Sequence, residues 1–249
     1  MDLTGRRAVV TGAGGGIGAA TAEALARLGA GLVLVDRETT ERLEAVRERI
    51  IQSGGSAILA PLDVADAGAV ASLYSRGGAA EGADVLVNAA GVLFGTPADE
   101  VSEAEWDLVM DVNLKASFLM AQAALPAMRA AGWGRIVNVS STAGKNVSTI
   151  GGVHYTAAKA GVLGLTRHLA KECAADGVTV NAVCPGLIDT AMVRTTIETD
   201  AVRRYAASFP IPRLGTPEEV ADLIGFLSST HSSYITGASV DINGGDLMI

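Results

Sequence analysis

Ala8-Val9-Val10-Thr11-Gly12-Ala13-Gly14-Gly15-Gly16-Ile17-Gly18 reads as a short strand, a glycine-rich turn and the start of a helix. An apolar run without alternation suits a strand covered on both faces. The glycines permit a tight turn and let bare backbone approach a ligand, while the helix that follows aims its unpaired N–H groups at the same place. A pyrophosphate is what such a turn holds when strand and helix flank it. Gly12, Gly15, Gly16 and Ile17 are therefore candidate cofactor contacts.

Outward from this stretch the alternation repeats. Strands are expected at Ala8 to Val10, Leu32 to Val35, Ala57 to Leu59, Val85 to Val87, Ile136 to Val139, Val178 to Val183 and Ser239 to Ile242. Helices are expected at Ile17 to Leu28, Glu38 to Gln52, Ala67 to Ser75, Ser102 to Arg129, Val153 to Ala174 and Pro217 to Leu227. Strand–helix alternation with right-handed crossovers predicts a single-domain, Rossmann-type, doubly wound α/β fold: seven parallel strands with helices on both faces. No linker, repeat or low-complexity stretch divides residues 1–249, and the long segment Thr190 to Pro212 is expected to form a substrate lid.

Composition narrows the partners. A chain of 249 residues that is 49% hydrophobic can bury one large core. Its net charge of −8 has the wrong sign for a nucleic-acid backbone or an anionic membrane surface. Apolar runs of about eighteen residues are missing, so no membrane partner is expected. Cys173 and Cys184 are too few for a disulfide framework and lack metal-ligand spacing, which points to a reducing, cytoplasmic setting and no metal.

Asp36 closes the second strand in Val33-Leu34-Val35-Asp36, about twenty residues beyond the glycine loop. A carboxylate there accepts from the ribose hydroxyls of NAD and repels the 2′-phosphate of NADP, so NAD is the expected cofactor and NADP the lesser one. Arg37 follows directly and can stack on adenine or bind a phosphate.

Tyr155 and Lys159 stand one helical turn apart in Tyr155-Thr156-Ala157-Ala158-Lys159, on one face of the helix. Free tyrosine has a pKa of about 10, and a neighbouring ammonium has the sign needed to lower it. Lys159 is therefore expected to depress the Tyr155 pKa and make the phenol an acid/base. Ser140 and Ser141 end the fifth strand, at the carboxyl edge where parallel sheets present ligands. Asn113 falls inside the long fourth helix, where a side-chain amide needs a partner.

Together, Gly12, Gly16, Gly18, Asn88-Ala89-Ala90-Gly91, Tyr155-x3-Lys159 and Pro185-Gly186 make the chain resemble the short-chain dehydrogenase/reductase family, over essentially its whole length. The resemblance implies a catalytic set of Asn113, Ser141, Tyr155 and Lys159, with Asn113 holding a water near the lysine and Lys159 also holding the nicotinamide ribose. It implies that Asp63 and Val64 meet adenine, that Asn88 to Gly91 and Pro185 line the cofactor, and that Ile188 and Thr190 hold the carboxamide. The spacing from Ser141 to Tyr155 is one position longer than in many relatives, so Lys145 to His154 is read as carrying an insertion and Ser140 as a lesser candidate. A homotetramer is also implied.

The expected activity is NAD-linked oxidation of a secondary alcohol, reversible to carbonyl reduction. The alternative is NADP-linked reduction of a ketone or 3-oxoacyl carrier-protein thioester, with Arg129, Arg167 and Lys171 meeting the acidic carrier. Leu93, Phe94, Val147, Ile150, His154 and Met192 are the expected substrate wall, apolar enough for a small or cyclic alcohol. His154, beside the proposed acid, is read as a pocket-wall or surface residue, with a second proton carrier as the alternative.

Overall fold

The computed structural model of the protein describes residues 1–196 and 199–249. All seven expected strands form one parallel sheet: β1 (Arg7–Thr11), β2 (Gly31–Asp36), β3 (Ser56–Pro61), β4 (Val85–Asn88), β5 (Gly134–Val139), β6 (Val178–Pro185) and β7 (Ser239–Ile242). Their spatial order is β3-β2-β1-β4-β5-β6-β7, so the chain reverses direction across the sheet between β1 and β4. Val9 pairs with Val33 on one side and Leu86 on the other. The crevice beyond the carboxyl ends at such a switch point is where doubly wound sheets bind ligands.

The continuous apolar character of β1 has a direct cause. Ala8 and Val10 enter the core beneath α1 (Gly16–Arg27), α2 (Glu41–Gln52) and a late helix at Pro217–Leu227, whereas Val9 enters the opposite core. That second core lies beneath α3 (Ala67–Tyr74), α5 (Ala116–Ala131) and α6 (Val153–Cys173). Each face needs its own apolar residue, so alternation disappears.

Helix ends follow local capping chemistry. Thr40 accepts from Leu43 N and starts α2 three residues later than Glu38. Asp66 accepts from Gly68 N and Ala69 N at the start of α3. Thr216 and Glu219 form a reciprocal capping box at the late helix.

Two regions differ from expectation. The helix expected over Ser102 to Arg129 is split into α4 (Glu103–Met110), a π-helical turn at Asp111–Lys115, and α5. Asn113 explains the break, because its Nδ2 donates 3.0 Å to the Val109 carbonyl four residues back and loosens the regular ladder there. Glu103–Ala131 is long and apolar enough to cross a membrane by length and composition, yet here it packs against the sheet.

The segment expected as a lid contains helices α7 (Ala191–Thr196) and α8 (Thr199–Ala207), followed by α9 (Pro217–Leu227). Residues 197 and 198 of that expected lid lie outside the described residues. Val193, Leu187 and Phe209 form a small apolar cluster with Ile150, Tyr205 and Leu214, separate from the two main cores.

Candidate active site

The glycine turn and the ends of β2 and β4 form one half of a cleft of about 610 Å³. Gly12 takes φ +66°, a conformation that favours glycine, and a Cβ at Gly18 would strike the Gly12 carbonyl oxygen, so strand and helix close as tightly as the sequence suggested. Thr11 Oγ1 accepts from both Ala89 N and Ala90 N at 3.0 Å, which locks the end of β1 to the loop after β4. Asp36 Oδ2 accepts from Gly14 N at 2.8 Å, so its carboxylate faces the turn from the end of β2. Asp63 is held by the Ala65 N–H, and Val64 beside it is buried. Gly12, Gly15, Gly16, Ile17, Asp36, Arg37, Asp63, Val64, Ala89 and Ala90 all line this half.

The other half is built on β5 and α6. Lys159 is buried, and its Nζ donates 2.9 Å to the Val139 carbonyl at the end of β5. The adjacent serines separate in role: Ser140 Oγ donates 2.8 Å to the Lys159 carbonyl and is buried, whereas Ser141 Oγ reaches the Tyr155 hydroxyl and accepts from Ala143 N. Asn113 is clasped by Val92, accepting from its N–H and donating to its carbonyl at 3.0 Å. A Cβ added at Gly91 would lie 2.8 Å from Asn113 Oδ1 and 3.8 Å from Lys159 Nζ, so the two groups flank one point. Pro185, Ile188 and Thr190 close this half from β6 and the loop after it.

The expected depression of the Tyr155 pKa is reversed among the protein's own groups. Burial pushes the phenol up to about 12, with the Ser141 hydrogen bond drawing it partly back, and burial pushes Lys159 down to about 8. Desolvation acts against both charged forms and is the largest influence on each.

Three expected wall or cofactor residues lie elsewhere. Asn88 points into the sheet, where its Nδ2 donates 2.9 Å to Asn138 Oδ1, and Asn138 in turn donates to Thr166 on α6. It ties β4 to β5 rather than lining the cleft. Val147 is exposed outside the cleft. His154 is neither wall nor surface: its ring is fully buried, with Nε2 2.8 Å from Glu105 Oε1. Leu93, Phe94, Ile150 and Met192 do line the substrate end.

Tyr205, within the expected lid, and Asp246 also line the cleft; Asp246 carried no signal in the sequence, because the chain's last residues reach the cleft only through folding. Among the described residues no three His, Cys, Asp or Glu side chains converge as a metal site, and both cysteines are free and buried.

Backbone N–H groups at a helix N-terminus, a carboxylate twenty-two residues on, and a phenol–amine–serine set in one cleft suit a dinucleotide and a hydroxyl-bearing substrate. A family model described as enoyl-(acyl carrier protein) reductase matches residues 12–246. The cis-4-hydroxycyclohexanecarboxylate dehydrogenase of Sinomonas cyclohexanicum is 43% identical over 96% of both chains. A 3-oxoacyl-[acyl-carrier protein] reductase from Brucella melitensis, solved with bound NAD, superposes with TM-score 0.90 at 36% identity over 99% of this chain and 92% of its own. A 3-oxoacyl (acyl-carrier-protein) reductase from Agrobacterium tumefaciens C58, solved with NADP, gives 0.91 at 34% over 98% and 95%. The protein belongs to the short-chain dehydrogenase/reductase family, as a nicotinamide-dependent oxidoreductase acting on CH–OH groups.

Proposed function

We propose that this protein is an NAD-dependent dehydrogenase that reversibly oxidises a small or cyclic secondary alcohol to its ketone. The observation that carries the reading is the Asp36 carboxylate, held against the glycine turn by the Gly14 N–H. Negative charge there accepts from ribose hydroxyls and repels a 2′-phosphate. Asp63 and Val64 would flank the adenine, and Ala89, Ala90, Pro185, Ile188 and Thr190 the remainder of the dinucleotide. Bound in the cleft, the dinucleotide supplies the hydride acceptor and, when oxidised, a positive charge.

Tyr155 Oη takes the alcohol proton during oxidation and returns it during reduction. Ser141 Oγ holds the reacting oxygen through the same hydroxyl it offers Tyr155. Lys159 supplies positive potential one helical turn away, and Asn113, beside the same point, would hold a water for that amine. Val193 and Tyr205 belong to the proposed lid over the substrate end, whose wall of Leu93, Phe94, Ile150 and Met192 suits an apolar ring. The 43% relative is named for a cyclic alcohol, which supports that class.

The names of the Brucella and Agrobacterium relatives favour a second reading, reduction of a 3-oxoacyl carrier-protein thioester. A basic docking patch would serve it, but Arg129 is engaged with Glu172 at 2.8 Å and Asp176 at 3.0 Å, at the end of α5 remote from Asn113.

Thermal unfolding with NAD or NADP separates the readings, since a nucleotide at 100 times its Kd adds about 2.7 kcal/mol. NAD is expected to raise the midpoint more, and cyclic alcohols to generate NADH. A larger shift with NADP, together with turnover of a 3-oxoacyl thioester, would establish the second reading instead.

A further inference from the structure

We infer that His154, braced by Glu105, is a positioning residue for Tyr155: its ring stands in for the missing N-cap of the helix that carries the phenol. This rests on Tyr155 being the proton carrier.

A helix ordinarily satisfies an early N–H with a side chain at its N-cap, the acceptor reaching the second or third residue inside. The N-cap of α6 is Gly152, which makes no side-chain cap. Tyr155 is the third residue inside, and its N–H donates to His154 Nδ1 at 2.9 Å. With Nδ1 accepting, the neutral ring carries its proton on Nε2 and donates it to Glu105 Oε1 at 2.8 Å. Hydrogen bonds from Thr96 and His154 hold the Glu105 carboxyl below the usual range, so it remains an acceptor at neutral pH.

Gly152 is part of the device. A Cβ there would lie 2.7 Å from His154 Cε1 and 2.9 Å from the Thr96 carbonyl, so any ordinary capping residue would displace the ring. The Gly152 N–H instead donates 2.7 Å to the Phe94 carbonyl, beside the substrate wall. A serine cap at residue 152 would satisfy the Tyr155 N–H locally. The imidazole also carries the constraint across to α4, so the Tyr155 backbone is referenced to two elements rather than to its own loop.

Four single variants, His154→Phe, His154→Asn, Glu105→Ala and Tyr155→Phe, assayed for kcat, KM, NAD affinity and unfolding midpoint, test the inference. Phenylalanine keeps the ring volume and removes both bonds, and is expected to lower kcat by about tenfold or more while NAD affinity stays within about threefold. Asparagine puts Oδ1 near the place of Nδ1 without reaching Glu105, and is expected to recover part of that loss. Should His154→Phe fail to fold, Glu105→Ala removes the brace from a half-exposed side and is expected to lower kcat in the same selective way. Wild-type kcat in the folded variants, equal losses in kcat and NAD affinity, or no recovery by asparagine would each overturn the assignment. Tyr155→Phe reports separately: if it turns over normally the proton-carrier reading fails, whereas an inactive Tyr155→Phe beside fully active His154 and Glu105 variants removes only the positioning role.

Discussion

Lys159 Nζ stands 5.6 Å from the centre of the Tyr155 ring, and the carbonyl of Val139 holds it there. The amine is thus set by the sheet as well as by the helix it shares with the phenol. It faces the Tyr155 ring in a region where burial, partly offset by the Ser141 hydrogen bond, pushes the phenol up to about 12.

Alcohol oxidation requires Tyr155 without its proton and carbonyl reduction requires it with one, so the two directions should respond oppositely to pH. Measured from about pH 6 to about pH 10, oxidative kcat/KM should climb and reductive kcat/KM should level off or fall. Tyr155→Phe should lose at least the roughly 10²-fold typical of acid/base catalysis, in both directions.

Lys159 titrates near 8 when folded and near its ordinary 10.5 when unfolded. Between these values the unfolded chain binds more protons, so this group makes the folded state more stable as pH rises from 8 towards 10.5 and is least favourable below 8. The depression corresponds to an upper bound of roughly 3 kcal/mol, at one pKa unit per 1.36 kcal/mol. Denaturant melts of wild type and Lys159→Met across that window should converge as pH rises, with the variant the more stable at neutral pH. A constant difference would disprove the buried-amine account.

Asp36→Ser removes the carboxylate that faces Gly14 while leaving a hydroxyl. Relative kcat/KM should move towards NADP by about tenfold or more, since a repelling charge is lost and Arg37, exposed beside the site, remains for a phosphate. Steady-state kinetics with each nucleotide measure the ratio directly.

Gly18→Ala places a methyl against the Gly12 carbonyl oxygen, where the backbone itself has to yield. We expect a loss of about 1–3 kcal/mol in unfolding free energy and a clear loss of NAD affinity, read by melts and by titration. Wild-type affinity would mean that the turn relaxes without cost.

The homotetramer that the resemblance implies would have candidate surfaces in Trp106, Leu108 and Phe118 on α4 and α5 and in Met248 and Ile249 at the tail, all exposed. Light scattering should give about four chains per particle, falling on Phe118→Glu as a charge enters an apolar contact. An unchanged mass would leave that face outside the interface.

How far the residues alone reach differs from element to element. Strands β1, β2 and β4 were legible because each buries both faces and so carries a nearly unbroken apolar run, whereas β3 at the sheet edge leaves Ile58 exposed. The break at Asn113 was not legible, since its amide is held against the Val109 carbonyl with the help of Val92, twenty-one residues away. Asn88 was misplaced because a motif position does not say which way its side chain turns, and Asn138 on the neighbouring strand captures it.

Local chemistry alone settled the glycine turn, Asp36 at a strand end and Tyr155 one turn from Lys159, since spacing along strand and helix is fixed by backbone geometry. Only the assembled layers decided the rest: that Ser140 braces Lys159 while Ser141 meets Tyr155, that His154 is locked against Glu105, and that burial dominates both titrating groups. Desolvation and long-range hydrogen bonds depend on what packs around a group, and that neighbourhood exists only once distant segments have come together.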